Sequence, residues 1–422
     1  MSVHASPLAV LGGIDGGAQN VHVAGLSADL AALGADVVVH TRRDNPALPR
    51  RVPLTRGVML DHVDAGPAAP LSKDALLPYM DAFADDLERH WRLQRPDVVH
   101  AHFWMSGLAA TRAAERLGVP VALTYHALGA EERHHQGAAD TSPATRLASE
   151  AWLARNVDRV IATTAAEARV LVRLGALAER VTVIPCGVDL DAFTPRGRVW
   201  PRRSGMARVV CVSRLVPRKG LADTVAAIAG LPNVELLIAG GPPADELRAD
   251  EHARELQALA RELGVEDRVR LLGAVDHHRI PALLRSASVV CCTPWYEPFG
   301  LVAVEAMASG VPVVATAVGG LAETVIDGLT GIHVLPHRPK SIRSAVKALT
   351  SRSARLRAMR RAAVRRAAEY GCAKIAARTY RVALELSRDG RRRSTVSALQ
   401  PVPPVARTAD VRPARALEGG GA

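Results

Sequence analysis

The stretch Trp295-Tyr296-Glu297-Pro298-Phe299-Gly300-Leu301-Val302-Ala303-Val304-Glu305-Ala306-Met307-Ala308-Ser309-Gly310 decides the reading of this chain. Ahead of it, Ser288-Val289-Val290-Cys291-Cys292 is a short apolar run of strand type. Pro298-Phe299-Gly300 breaks the pattern, and Leu301 to Ser309 has helical spacing with Gly310 as its stop. Strand, loop and helix therefore follow in that order. The first turn of such a helix leaves backbone N–H groups unpaired and carries partial positive charge, so a phosphate can dock there. Glu297 falls in the loop and Glu305 in the helix. A carboxylate does not favour phosphate, but it accepts hydrogen bonds from hydroxyls, which a sugar ring and a ribose both present. The combination suits a nucleotide sugar. Taken singly, Glu297 reads as a helix-start acid complementing the dipole and Glu305 as a solvated face residue.

Outward from this stretch, strand-like and helix-like segments alternate. In the first half, Asn20–Leu33, Leu76–Leu93 and Gly107–Leu117 read as helices, and Asp36–His40, Asp97–Ala101 and Val119–Thr124 as strands. A second series has strands at Val209–Val212, Val234–Ala239, Val269–Leu272, Val289–Cys292 and Val311–Ala315, with helices at Leu221–Ile228, Ala244–Leu263 and Ile280–Leu284. Such alternation implies parallel sheets with helices on both faces. At 422 residues the chain exceeds the size of one hydrophobic core, so two doubly wound α/β units are expected. The Pro-, Arg- and Gly-rich segment Phe193–Gly205 marks the boundary. We expect a first domain over residues 1–197, a second over 198–355, helices at 356–387 packing back on the first, and a disordered tail at 388–422. Only Met1–Val10 precedes the loop Gly12-Gly13-Ile14-Asp15-Gly16-Gly17, so the expectation is either a short opening strand or a true start upstream of Met1.

The composition, 48% hydrophobic and 3% aromatic, is that of a soluble α/β protein. Cys186, Cys211, Cys291, Cys292 and Cys372 are odd in number, form no CxxC pair and mostly sit in apolar runs, which fits reduced thiols and a cytoplasmic location. No charged-then-apolar leader and no run of membrane-spanning length is evident. The net charge of +12 is uneven, for residues 340–370 carry ten Lys/Arg against Glu369 alone. The body is near neutral, which argues against a nucleic-acid groove. The Arg352–Arg366 run reads as a solvated helix face in preference to a transient membrane contact.

Five ordered motifs carry a family resemblance over about residues 6 to 385. They are Asp15-Gly16-Gly17-Ala18-Gln19-Asn20-Val21-His22-Val23, Val99 to Gly107, Ile184-Pro185-Cys186-Gly187-Val188-Asp189, Ser213-Arg214-Leu215-Val216-Pro217-Arg218-Lys219-Gly220, and the opening stretch. Together they resemble the retaining GT-B glycosyltransferases of the group 1 and family 4 type, a family that includes sucrose-phosphate synthases and the inositol-phosphate glycosyltransferases of the mycothiol pathway. The resemblance implies two Rossmann-like domains facing a cleft, and transfer of a hexosyl group from a nucleotide diphosphate sugar, by family habit a UDP-sugar, to an acceptor hydroxyl in α linkage.

It also implies roles for single residues. Arg214 and Lys219 match the family's diphosphate-binding pair, and fixed cations aimed at a departing diphosphate lower the barrier most. Gly16 and Gly17 let the first loop approach the donor. Glu297 matches the position that contacts donor-sugar hydroxyls and Glu305 the position that binds ribose. The backbone N–H groups of Phe299, Gly300 and Leu301 meet the phosphates. His126 matches a catalytic-site histidine near the donor sugar, and Gly319-Gly320 a glycine pair beside it. No side-chain nucleophile is implied: the acceptor hydroxyl attacks on the face from which the diphosphate leaves. Neither a metal nor a cofactor beyond the co-substrate is expected.

At the acceptor end, Lys73 in Pro70-Leu71-Ser72-Lys73-Asp74 matches the lysine of family members that act on phosphorylated acceptors, with Asn20 and Arg146 as further candidates. Those members carry a tyrosine where this chain has Phe103. A phosphorylated polyol or sugar is the acceptor so implied, with a lipid or another small molecule left open. Two other classes compete with the enzyme reading. A catalytically silent nucleotide-sugar-binding protein on the same fold is opposed by the retained Arg214, Lys219, Glu297, Glu305 and His126. A nicotinamide-dependent oxidoreductase is opposed by the missing G-x-G-x-x-G in the first loop.

Overall fold

The computed structural model describes residues 1–8, 18–137, 140–350 and 354–393. The first domain holds β1 (Val37–Arg42), β2 (Arg51–Thr55), β3 (Val58–Val63), β4 (Val99–His102), β5 (Val121–Thr124), β6 (Arg159–Ala162) and β7 (Val181–Val183). Its helices are α1 (Ala18–Ala32), α2 (Met80–Leu93), α3 (Trp104–Glu115), α4 (Gly129–Gln136), α5 (Arg146–Asn156) and α6 (Ala165–Arg173). The second domain holds β8 (Ala207–Val212), β9 (Val234–Ala239), β10 (Val269–Gly273), β11 (Val289–Cys292), β12 (Val313–Thr316) and β13 (Gly331–Val334). With them run α7 (Leu221–Ala229), α8 (Glu251–Glu262), α9 (Ile280–Arg285), α10 (Leu301–Ala308), α11 (Leu321–Thr324), α12 (Pro339–Thr350) and α13 (Ala354–Ala367), before a final helix α14 (Cys372–Arg393).

The second sheet is wholly parallel in the order β10-β9-β8-β11-β12-β13. Its middle strands are apolar on both sides, as a sheet covered by helices on both faces requires; β9 and β12 are buried at every residue. In the first domain β4-β5-β6-β7 form a parallel sheet, and β1-β3-β2 form a mixed one in which β1 and β3 are parallel and β2 and β3 antiparallel. Residues 1–3 join them. Ser2 N–H donates to His40 O and Arg42 N–H to Val3 O, while His102 N–H donates to Met1 O, so this segment runs between β1 and β4. It takes the place of the short opening strand expected from the sequence.

The hairpin β2–β3 was not expected from the pattern. Pro53 breaks the strand signal, yet it lies on an edge strand, where a missing N–H costs nothing. The helix expected over Ala244–Leu263 starts only at Glu251, because Asp250 caps it by accepting the Ala253 N–H at 2.7 Å.

The chain crosses between domains twice, and the two crossings are hydrogen-bonded to each other: Val188 N–H donates to Tyr370 O and Cys372 N–H to Val188 O. The C-terminal helices divide at this point, which corrects the expected boundary at residue 356. α13 stays with the second domain, burying Met359, Ala363 and Ala367 in its cores, while Arg355, Arg357, Arg361 and Arg365 are exposed. Only α14 packs on the first domain, with Ile375, Val382 and Leu386 against Ala122, Ile161 and Ile184. Each such apolar side chain contributes about 1.5–3 kcal/mol. α14 also continues to Arg393, so residues 388–393 are helical where a disordered tail was expected; the rest of that tail lies outside the described residues. A third link is Glu323 of α11, which accepts the N–H groups of Ala165 and Ala166 at 2.9 and 2.7 Å and so caps α6 across the cleft.

Candidate active site

Between the domains lies a cleft of about 350 Å³. The carboxyl ends of β8 and β11 open into it, the place where doubly wound sheets bind ligands. The loop after β8 carries Arg214, Arg218 and Lys219, and the loop after β11 carries Glu297. Two close approaches fix these loops. A Cβ on Gly220 would sit 2.0 Å from Thr293 O, and one on Gly319 would sit 2.1 Å from Glu297 O, so only glycine lets the backbones meet. Gly319 and Gly320 thus pack beneath the Glu297 loop, and Gly320 N–H donates to Glu297 O at 2.8 Å.

Lys219 Nζ donates to Glu297 Oε2 at 2.5 Å. Burial pushes the Glu297 carboxyl up, but Lys219, Arg218 and Arg214 outweigh it and hold the pKa below the ordinary carboxylate range. Three cations against one carboxylate leave this end of the cleft positive. The first turn of α10, with Gly300 in the left-handed region at φ +87°, adds its N-terminal dipole at the same place. Glu305, one turn further, is 5% exposed and approaches His277 Nε2 at 3.5 Å, a contact that raises the pKa of His277. Glu305 also borders an adjoining hollow of about 500 Å³ lined by Asn20, Asp189, Phe193 and His277.

From the first domain, His126 lines the same cleft. It follows β5 with φ +61°, an uncommon backbone state for a residue with a Cβ. His102 Nδ1 lies 2.9 Å from His126 Nε2, so one ring must donate and the other accept. His22 packs edge-on to both rings and His100 lies against His102. Burial holds the whole group neutral: it lowers His22 to about 4 and His100 to about 3, and His102 and His126 well below their usual value. The rings stack rather than converge, and among the described residues no cluster of His, Cys, Asp and Glu is arranged to hold a metal ion.

At the far end of the first domain's wall, Lys73 and Phe103 line the cleft as the sequence suggested. Arg146 does not: it is 1% exposed and lies behind Phe103, its Cζ 5.2 Å from the ring centre. Gly16 and Gly17 lie outside the described residues. His126, Arg214, Lys219, Glu297, Phe299, Gly300, Leu301, Glu305 and Asn20 come together on one cleft. Arg218, beside Lys219 in the same motif, was passed over although its position announced it. Glu132, His102 and His277 carried no local signal, since their partners are distant in the chain.

Comparison with known proteins bears on the family and the fold. Residues 16–192 match the description "Glycosyltransferase Family 4" and residues 198–366 "Glycosyl transferases group 1". D-inositol 3-phosphate glycosyltransferase 2 of Catenulispora acidiphila is 38% identical over 397 residues, 90% of this chain and 92% of that protein. The D-inositol 3-phosphate glycosyltransferase of Mycolicibacterium smegmatis is 39% identical over 347 residues, 80% of this chain and 79% of that one. Among solved structures, sucrose-phosphate synthase from Thermosynechococcus elongatus superposes with a TM-score of 0.84 at 29% identity, covering 92% of this chain and 98% of that one. Anabaena HepE in complex with UDP-glucose superposes at 0.69 with 20% identity, covering 91% and 98%, and speaks for the fold alone. With both domains matched and relatives at this identity spanning most of its length, the chain belongs to the group 1 and family 4 glycosyltransferases and has their GT-B fold.

Proposed function

We propose that this glycosyltransferase moves a hexosyl group from a nucleotide diphosphate sugar, in the first instance a UDP-sugar, to an acceptor hydroxyl with retention of the α configuration. The observation that carries the reading is the cation cluster Arg214, Arg218 and Lys219 around Glu297 at the amino end of α10, in the cleft that His126 also lines. As the bond from the anomeric carbon to the diphosphate breaks, charge grows on the leaving oxygens, and pre-positioned cations and helix N–H groups stabilise it without reorganising. The acceptor oxygen bonds to the anomeric carbon on the same face, and its proton passes to the departing diphosphate. Glu297 accepts hydrogen bonds from donor-sugar hydroxyls, Glu305 from the ribose, and neutral His126 positions the sugar.

Among the described residues no helix is long and apolar enough to cross a membrane, and the five cysteines are unpaired. We place the reaction in the cytoplasm. The test is nucleotide release from UDP-, GDP- and ADP-sugars with and without mixed acceptors, with Glu305→Ala as control. Release of one nucleotide that needs both an acceptor and Glu305 is expected. Tight donor binding without turnover in every mixture would replace the transferase reading with that of a silent binding protein.

A further inference from the structure

We infer that the acceptor end of the cleft takes an uncharged, hydroxyl-bearing molecule in preference to a phosphomonoester, and that Glu132 sets this specificity. The inference rests on the transferase reading and names its acceptor class.

Glu132, on α4, projects between the two cations that a phosphorylated acceptor would need. Its Oε2 accepts from Arg146 Nη1 at 2.6 Å and lies 3.6 Å from Lys73 Nζ. Burial pushes the Glu132 carboxyl up, but Lys73 and Arg146 outweigh it and keep the group ionised at neutral pH. Arg146 has no freedom to turn outward. Its Nε donates to Glu150 Oε1 at 2.8 Å, Nη1 also to Ser142 Oγ at 2.9 Å, and Nη2 to Ala127 O at 3.1 Å. Glu150 is held in turn by the Gly129 N–H. A guanidinium committed in this way cannot offer the two parallel N–H groups that clasp a phosphate.

The nearest cations at this end are each matched by a carboxylate: Lys73 and Arg146 stand against Glu132 and Glu150, and the next cation felt at Glu132 is Arg218, towards the donor end. A phosphomonoester brings about −1.5 to −2 charges near pH 7 and would meet Glu132 within a few ångströms, beside a Lys73 and an Arg146 already matched by carboxylates. Two neighbouring side chains supply no hydroxyl donor, for Phe103 presents a phenyl ring and Ala127 a methyl group. An acceptor hydroxyl, by contrast, can donate to the Glu132 carboxylate and stack its carbon face on Phe103. The chain thus departs at this end from what its relatives' names describe.

The experiment is a calorimetric titration of the full chain, first with UDP, then with inorganic phosphate, D-inositol 3-phosphate and myo-inositol on the UDP-saturated protein. Saturation with UDP closes the Lys219 end to phosphate, so the first titration judges the donor reading and the later ones judge the acceptor class. In the wild type, neither phosphate compound should bind more tightly than about 10 mM. Glu132→Gln, which can still accept a hydrogen bond from Arg146, should bind both at least about tenfold more tightly. Sub-millimolar binding of D-inositol 3-phosphate to the wild type, lost in Lys73→Ala, would overturn the inference. So would a Glu132→Gln protein with unchanged melting and UDP affinity that gains nothing. If Glu132→Gln does not fold, the wild-type titrations decide alone.

Discussion

The two ends of the cleft each contain a lysine paired to a glutamate, and they do opposite things with the pair. At the donor end, Lys219–Glu297 is flanked by Arg214 and Arg218, and the surplus is positive. At the acceptor end, Lys73–Glu132 is flanked by Arg146–Glu150, and each cation has its own carboxylate. The lesson is that a motif lysine announces a phosphate site only when its carboxylate neighbours are counted. The first domain adds to this pairing a wall of buried, uncharged histidines, and the second has no counterpart among the described residues.

Acid should break this contrast most strongly. His4, His22, His100, His102 and His126 are held below the ordinary histidine pKa by burial, so the unfolded chain binds protons that the folded one refuses. The stability they contribute is complete above an unfolded pKa near 6.5 and is lost as the pH falls below it. Each costs about 1 kcal/mol between about pH 7 and 5.5, several kcal/mol together. Melting of the first domain should drop by roughly 10–20 °C over that interval. A flat Tm down to pH 5 would sink the neutral-histidine wall.

Next in size, Lys219→Ala removes the central cation of the donor end and should lower kcat by about a thousandfold, near 4 kcal/mol, with circular dichroism unchanged. An active variant would remove the charge-stabilisation mechanism. Glu305→Ala should act on binding rather than chemistry, raising the donor KM by about 10–100-fold, as for one or two lost charged hydrogen bonds. A fall in kcat with KM untouched would reassign Glu305 to the reacting sugar. The smallest effect is expected from Gly320→Ala. Its Cβ would meet Phe299 Cα at 2.4 Å and push the Glu297 loop aside. Activity should fall by about tenfold and stability by about 1–3 kcal/mol; full activity would show that the loop tolerates displacement.

Much of the donor end was legible because it is built from residues close in the chain. Ser213 to Gly220 and Glu297 to Glu305 are each a strand-to-helix junction, and local spacing places a cation or carboxylate at the carboxyl end of its strand. Edge strand β2 was hidden by Pro53, since a sequence pattern does not say which strand will be at an edge. The split of the C-terminal helices at Gly371 was hidden for a related reason, because α13 and α14 are both amphipathic and nothing local says which core each will cover.

By itself, then, the sequence determined two doubly wound domains, because strand and helix periods and glycine-bounded turns are short-range properties; the cleft and the cations of the donor end were implied by the family resemblance of its motifs. Only the tertiary structure decided that Arg146 turns inward, that Glu132 closes on Lys73, and that His22, His100 and His102 pack together with His126. Those outcomes depend on which distant segments share a low-dielectric interior, and charges and rings there take whatever partners the packing brings within reach.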